Sequence, residues 1–297
     1  MKPSSTSASG LLAVYPHLTG RDRHIIDLLA RHQVLTTGQL HRIGFRALRT
    51  CQIRLTELRA LGVLERFRFG RFEGGSYPWH WTLGLAGARL HAAATGDNPP
   101  TVRAHTDQLL RLTASPHLTH LVSANEFFVR LTHTARRDPR ARLTRWWSER
   151  ESTRRFPPVR PDGHGIWHVA GRAVGFFVEA DQGTETLARL VDKLDAYARL
   201  TQTTGISYPV LFWLTSTRRE EHLQTMLRRL RLRVPVATAT QNTDPAESIW
   251  LPTDGHRRVR LCDLHSEHGF DSAANPNFSH GVLDLTGPIG STGPDGS

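Results

Sequence analysis

Lysine is nearly missing from this chain of 297 residues: Lys2 and Lys193 stand against 36 arginines. Cysteine is equally scarce, with only Cys51 and Cys262, which excludes a disulfide framework and a cysteine-rich zinc module. No apolar run approaches the roughly 18 residues of a membrane helix. The opening MKPSSTSASG lacks the apolar core of a signal peptide, since only the short run from Leu11 to Val14 follows it. No GxxxxGK[ST] phosphate loop occurs, which argues against an ATP motor. The expectation is a soluble cytoplasmic protein without membrane contact.

Acid is scarce in one place. Residues 1–95 hold 13 Lys+Arg and 5 Asp+Glu, net +8, whereas the remaining 202 residues are nearly balanced at +3. A basic N-terminal third points to a polyanion partner, most simply double-stranded DNA. The preference for Arg over Lys reflects codon composition, but codon bias does not remove acids from one third of a chain.

Apolar periodicity within that third predicts a helix from Thr19, carrying Ile25, Ile26, Leu28 and Leu29 with Thr19 as N-cap, and a short helix over residues 37–43 capped by Thr36. A third helix is predicted over residues 47–61, with Leu48, Ile53, Leu55, Leu58 and Leu61 as its apolar positions and Gly62 ending it. Two β-prone runs follow, 63–69 and 77–83, joined by the turn-like GRFEGGS. Three helices and a hairpin form the order of a winged helix-turn-helix. Arg46, Arg49, Gln52, Arg54 and Arg59 are then the outward residues of the third helix, and Arg66, Arg68 and Arg71 decorate the wing. Arginine suits both phosphate contact and bidentate guanine readout. Of these, Arg46, Arg49, Gln52, Arg54, Arg68 and Arg71 are the predicted DNA contacts.

Beyond a linker at 96–104, the pattern reads helix, three strands (142–151, 159–170 interrupted by DGHG, and 172–180), a helix at 184–200, a buried-type strand at 208–214, a basic helix at 217–232 and short later strands. The predicted organisation is a disordered arm at 1–18, a DNA-binding domain at 19–95, the linker, an α/β domain at 105–255, and a largely disordered extension at 256–297. Acids fall at strand ends: Asp162 near the second strand, Glu179 and Asp181 at alternate positions closing the third. Alternation puts Glu179 and Asp181 on one face, and a hairpin brings Asp162 beside them. Three converging carboxylates form a hard-cation site suited to Mg²⁺ or Mn²⁺. The pairs His164/His168 and His265/His268 lack a helical HExxH context, and His164 reads as a loop residue. The four tyrosines, Tyr15, Tyr77, Tyr197 and Tyr208, neighbour no histidine triad, so a tyrosine relaxase mechanism is not expected.

The order helix, strand, strand with Pro161-Asp162, strand with Glu179-Ala180-Asp181, helix, strand resembles the PD-(D/E)XK nuclease superfamily. The fold class expected is therefore a two-domain α+β and α/β protein, a winged helix-turn-helix followed by a PD-(D/E)XK-like αβββαβ domain. The resemblance implies a lysine at position 181, where Asp181 stands. Lys193, from the following helix, is the substitute it implies, and Glu126 resembles the acid many members contribute from their first core helix. The stretches RDRHIIDLLARHQVLTTGQL through RLTELRALG, YPWHWTLGLAGARL, and VEADQGTE with KLDAY are similar to the replication-relaxation family of actinobacterial and plasmid-borne proteins. That resemblance implies DNA binding in plasmid replication or transfer, with other plasmid replication or transfer proteins as partners and a location with the nucleoid or plasmid. Two functions fit: a metal-dependent DNA-nicking enzyme, and a non-catalytic DNA-binding replication or transcription factor with a degenerate nuclease-like domain.

Overall fold

The structure is a computed structural model that describes residues 8–70 and 76–269. Its residues divide into two compact units at Asn125–Glu126.

The N-terminal unit begins with α1 (Ala8–Val14) and a single 3₁₀ turn, so the described part of the predicted disordered arm is largely helical. Then come α2 (Gly20–His32), β1 (Leu35–Thr36), α3 (Thr37–Gly44), α4 (Leu48–Ala60), β2 (Leu64–Phe67), β3 (His80–Leu83), α5 (Leu85–Thr95) and α6 (Val102–Thr113). The starts of α2 and α3 follow from local chemistry. Thr19 and Thr36 each close a capping box, with Asp22 and Gln39 at the third helical positions. Gly62, at φ 70°, follows the last turn of α4, and the amide of Val63 returns to the carbonyl of Leu58, as a glycine-terminated helix requires. β2 and β3 pair antiparallel, and β1 adds to the far edge of β3. Ile25, Leu28, Leu29, Leu40, Leu55, Leu58 and Trp81 are buried in this unit. The loop predicted as a linker at 96–104 connects α5 and α6 inside this unit, which continues to Asn125, within α7 (Leu118–Ala135).

The C-terminal unit continues with β4 (Ala141–Ser148), α8 (Glu149–Arg155), β5 (Gly163–Val169), β6 (Arg172–Ala180), α9 (Leu187–Asp192), α10 (Leu194–Thr204), β7 (Ile206–Ser207), β8 (Val210–Leu214), α11 (Thr217–Leu227), β9 (Val236–Thr240), β10 (Leu251–Pro252) and β11 (Glu267–His268). Its main sheet has the order β10-β9-β8-β6-β5-β4. β4, β5 and β6 form an antiparallel meander, whereas β8 runs parallel to both β6 and β9.

One face of the sheet packs Trp147, Phe156, Phe177, Tyr208 and Phe212 against α9, α10 and α11. The other meets Phe127 and Phe128, which contact Trp146, Phe176, Trp213 and Trp250. Trp146 and Trp147 therefore serve opposite faces, and both are buried.

Three predicted features differ. The first strand, predicted over 142–151, ends at Ser148, and Glu149–Arg155 is α8. The DGHG segment does not interrupt the second strand: Gly163, His164 and Gly165 are its first residues, and a Cβ on Gly163 would stand 2.5 Å from the Phe128 ring. The glycines are there for ring clearance, not for a turn. His164 is consequently no loop residue. It is fully buried, and its Nδ1 lies 2.8 Å from the Phe176 carbonyl. The helix predicted at 184–200 is broken at Lys193 into α9 and α10.

Candidate functional site

In the N-terminal unit, α4 packs inward through Cys51, Leu55 and Leu58, which leaves Arg46, Arg49 and Gln52 exposed beside or on its outward face. These three side chains make no hydrogen bond or ion pair among the described residues. Ile53 and Leu48, predicted as core positions, are exposed on the same helix. The prediction for Arg54 is corrected. Its Nε and Nη2 reach both oxygens of the fully buried Asp22 at 3.0 and 2.7 Å, while Nη2 also reaches the His17 carbonyl and Nη1 reaches Glu57, at 2.8 Å each. Arg54 is a clamp between α4 and the start of α2. Burial pulls the Asp22 carboxyl upward, but hydrogen bonds from Arg54 and Thr19 outweigh it and hold the group below its ordinary range.

On the hairpin, the guanidinium carbons of Arg66 and Arg68 lie 4.0 and 4.3 Å from the Trp79 ring centroid, each within cation–π range. Arg68 is exposed beyond the strand. Arg71 lies outside the described residues.

In the C-terminal unit, β6 carries Phe177, Glu179 and, one step past its end, Asp181 on the face covered by α9–α11. Glu179 is 1% exposed and accepts from Lys193 Nζ at 2.8 Å and from the Tyr197 hydroxyl at 2.5 Å. The break between α9 and α10 delivers Lys193, and Tyr197 lies one turn further along. Lys193 also meets Glu185 at 3.3 Å. Asp162 precedes β5, and its Oδ2 accepts from the Ala180 amide at 2.7 Å. This places its charge close enough to act on Glu179. Burial first, and then that neighbouring charge, push Glu179 up to about 7 against the pull of Lys193 and Tyr197. Burial opposes the charge on Lys193, but Glu179 more than compensates and raises it.

Asp162, Glu179 and Lys193 are thus brought together, and Tyr197 joins them. Nothing in its sequence context marked Tyr197 beyond its spacing of four from Lys193. Asp181 is not gathered with them: Arg219, on α11, grips both its oxygens and also donates to the Glu185 carbonyl. Glu126 pairs with Arg130 at 2.9 Å, and Arg130 in turn holds the carbonyls of Gln241 and Thr243. Among the described residues no three His, Cys, Asp or Glu side chains assemble as a metal site. Two carboxylates remain, Asp162 and Glu179. That is the number Mg²⁺ commonly takes from protein while keeping waters and phosphate oxygens. The acid pair, a buried Glu179 raised by its burial and by the charge of the half-buried Asp162, is one a divalent cation would relieve.

No described helix is long and apolar enough to cross a membrane. The family model described as Replication-relaxation matches residues 26–211, from within α2 to within β8. Among curated proteins the comparison finds no match.

Proposed function

The chain belongs to the replication-relaxation family, and from that premise we propose that it is a duplex-DNA-binding protein of plasmid replication or mobilisation. The N-terminal unit is read as a winged helix-turn-helix, with α4 as the helix entering the major groove and the β2–β3 hairpin as the wing. The observation that carries this reading is a set of donors without partners among the described residues, Arg46 just before α4 and Arg49 and Gln52 on it, in a stretch of net +8. Arginine matches the guanine edge and glutamine the adenine edge. Arg68 and Arg71 are assigned to phosphates.

The C-terminal unit is read as PD-(D/E)XK-like, on the β4–β5–β6 meander followed by helices and the parallel β8. Asp162, Glu179 and Lys193 support a nicking site there. Asp162 and Glu179 are the residues that would hold Mg²⁺ or Mn²⁺, and such an ion would supply a water of lowered pKa and charge neutralisation at phosphate. The chain's own part is orientation: Tyr197 and Lys193 fix both Glu179 oxygens, and the Lys193 ammonium is a compact positive charge beside the acids. A second reading, DNA binding without cleavage, is favoured by the Asp181–Arg219 pair. The position where the nuclease resemblance implies a lysine holds an acid already neutralised by its own arginine.

One experiment with two readouts tests the proposal on the full chain. Affinity for duplex should fall at least tenfold in Arg46→Ala/Arg49→Ala, with a flatter salt dependence; unchanged affinity would refute the N-terminal assignment. On supercoiled plasmid with Mg²⁺ or Mn²⁺, nicking that disappears in Asp162→Ala and Glu179→Ala while duplex affinity stays intact selects the enzyme. An intact plasmid under wild-type protein that still binds it selects the second reading.

A further inference from the structure

Ile53 and Leu48 are 47% and 46% exposed, although they sit on a helix that buries Cys51, Leu55 and Leu58. Along α4, Arg49, Gln52, Ile53 and Thr56 follow one another at spacings of three, one and three, which makes one outward stripe. Leu48 stands one turn before Gln52 on its flank. One acid, Glu57, stands exposed one turn beyond Ile53, with its charge paired to Arg54 at 2.8 Å. The face therefore combines two aliphatic side chains with arginine and amide donors, inside a stretch of net +8. An occupant must offer strong negative charge, hydrogen-bond acceptors and small apolar groups at close spacing. The major groove of duplex DNA offers all three, and its one apolar group is the 5-methyl of thymine.

Resting on the DNA-binding reading above, we propose that Ile53 and Leu48, at opposite edges of that stripe, recognise thymine methyl groups, so that the preferred site places thymines next to the bases read by Arg49 and Gln52. Aliphatic contact selects thymine over cytosine at those positions, where an arginine or glutamine alone leaves the pyrimidine unread.

The test starts from a random-sequence duplex pool enriched on the full-length protein. The enriched duplex is made twice, once with thymine and once with uracil, which lacks only the methyl. At about 0.8 kcal/mol per buried carbon, each methyl is worth about fourfold, so two contacts predict a loss of about fifteenfold with uracil inside the site and none with uracil outside it. In Ile53→Ala the penalty for uracil should shrink at least twofold while Tm stays as in the wild type, since at 47% exposure the substitution leaves the core intact; an undiminished penalty in the folded variant would overturn the assignment to Ile53. Equal wild-type affinity for the two duplexes would overturn this inference and leave DNA reading by Arg49 and Gln52 standing. Failure to bind or enrich any duplex would overturn both.

Discussion

Replacing Arg54 by alanine is expected to loosen the N-terminal unit without touching the outward face of α4. The arginine gives Asp22 two hydrogen bonds, at 2.7 and 3.0 Å, and Asp22 is fully buried. Removing one partner of a buried ion pair typically costs about 3–5 kcal/mol. Two features reduce that figure: Arg54 is partly exposed, and Asp22 keeps the amide and hydroxyl of Thr19, both at 2.7 Å. A loss of about 2–4 kcal/mol remains, which for a unit of this size lowers Tm by roughly 10 °C. Urea unfolding followed by hydrogen exchange at the α2 amides isolates the effect. The pH dependence supplies an internal check. Because Asp22 is depressed in the folded unit, its contribution is present above the unfolded carboxyl value of about 3.9 and is lost as pH falls through the folded value. The gap between wild type and Arg54→Ala should therefore close in acid. If Arg54→Ala unfolds like wild type yet loses duplex affinity as Arg49→Ala does, Arg54 is a DNA contact after all and the clamp argument fails.

Glu179 gives the opposite slope. Its folded value, near 7, exceeds the unfolded one, so its contribution is complete below about 4.5 and lost as pH rises through about 7. Glu179→Gln should flatten the fall in urea midpoint of the C-terminal unit across that window, and an unaltered slope would contradict the burial of a protonatable acid there. Gly165→Ala should destabilise the same unit by about 2 kcal/mol or more, because the added Cβ would stand 2.3 Å from the Phe176 ring and 2.9 Å from Phe128. A variant as stable as wild type would show that the rings can yield.

What could be read from the sequence was chiefly what neighbours in the chain decide. Thr19, Thr36 and Gly62 announce helix ends because their partners lie within a few residues. The alternation that puts Glu179 and Asp181 on one face is likewise a local rule. Partners distant in sequence were not legible. Arg54 looked like any outward arginine, since Asp22 lies 32 residues away, and Asp181 looked available to a cation, since Arg219 lies 38 residues on. Ile53 was misassigned because α4 has apolar residues on both sides, and periodicity alone does not say which side is packed. The break at Lys193 carries no proline or glycine to mark it. It is visible only once Lys193 and Tyr197 are seen converging on one carboxylate. The glycines of DGHG mimic a turn, and only the phenyl ring above them explains their place in a strand.

The Arg54–Asp22 clamp also bears on the thermodynamics of whatever α4 engages. A helix tied at its middle to the capped start of another helix is ordered before any encounter, so its contact surface has no coil state to give up. Association through that face should then show a heat-capacity change that scales with the area covered alone, without the larger decrement that accompanies a segment folding as it binds. Cutting the tie should convert the first signature into the second, even where the contacting side chains are unchanged.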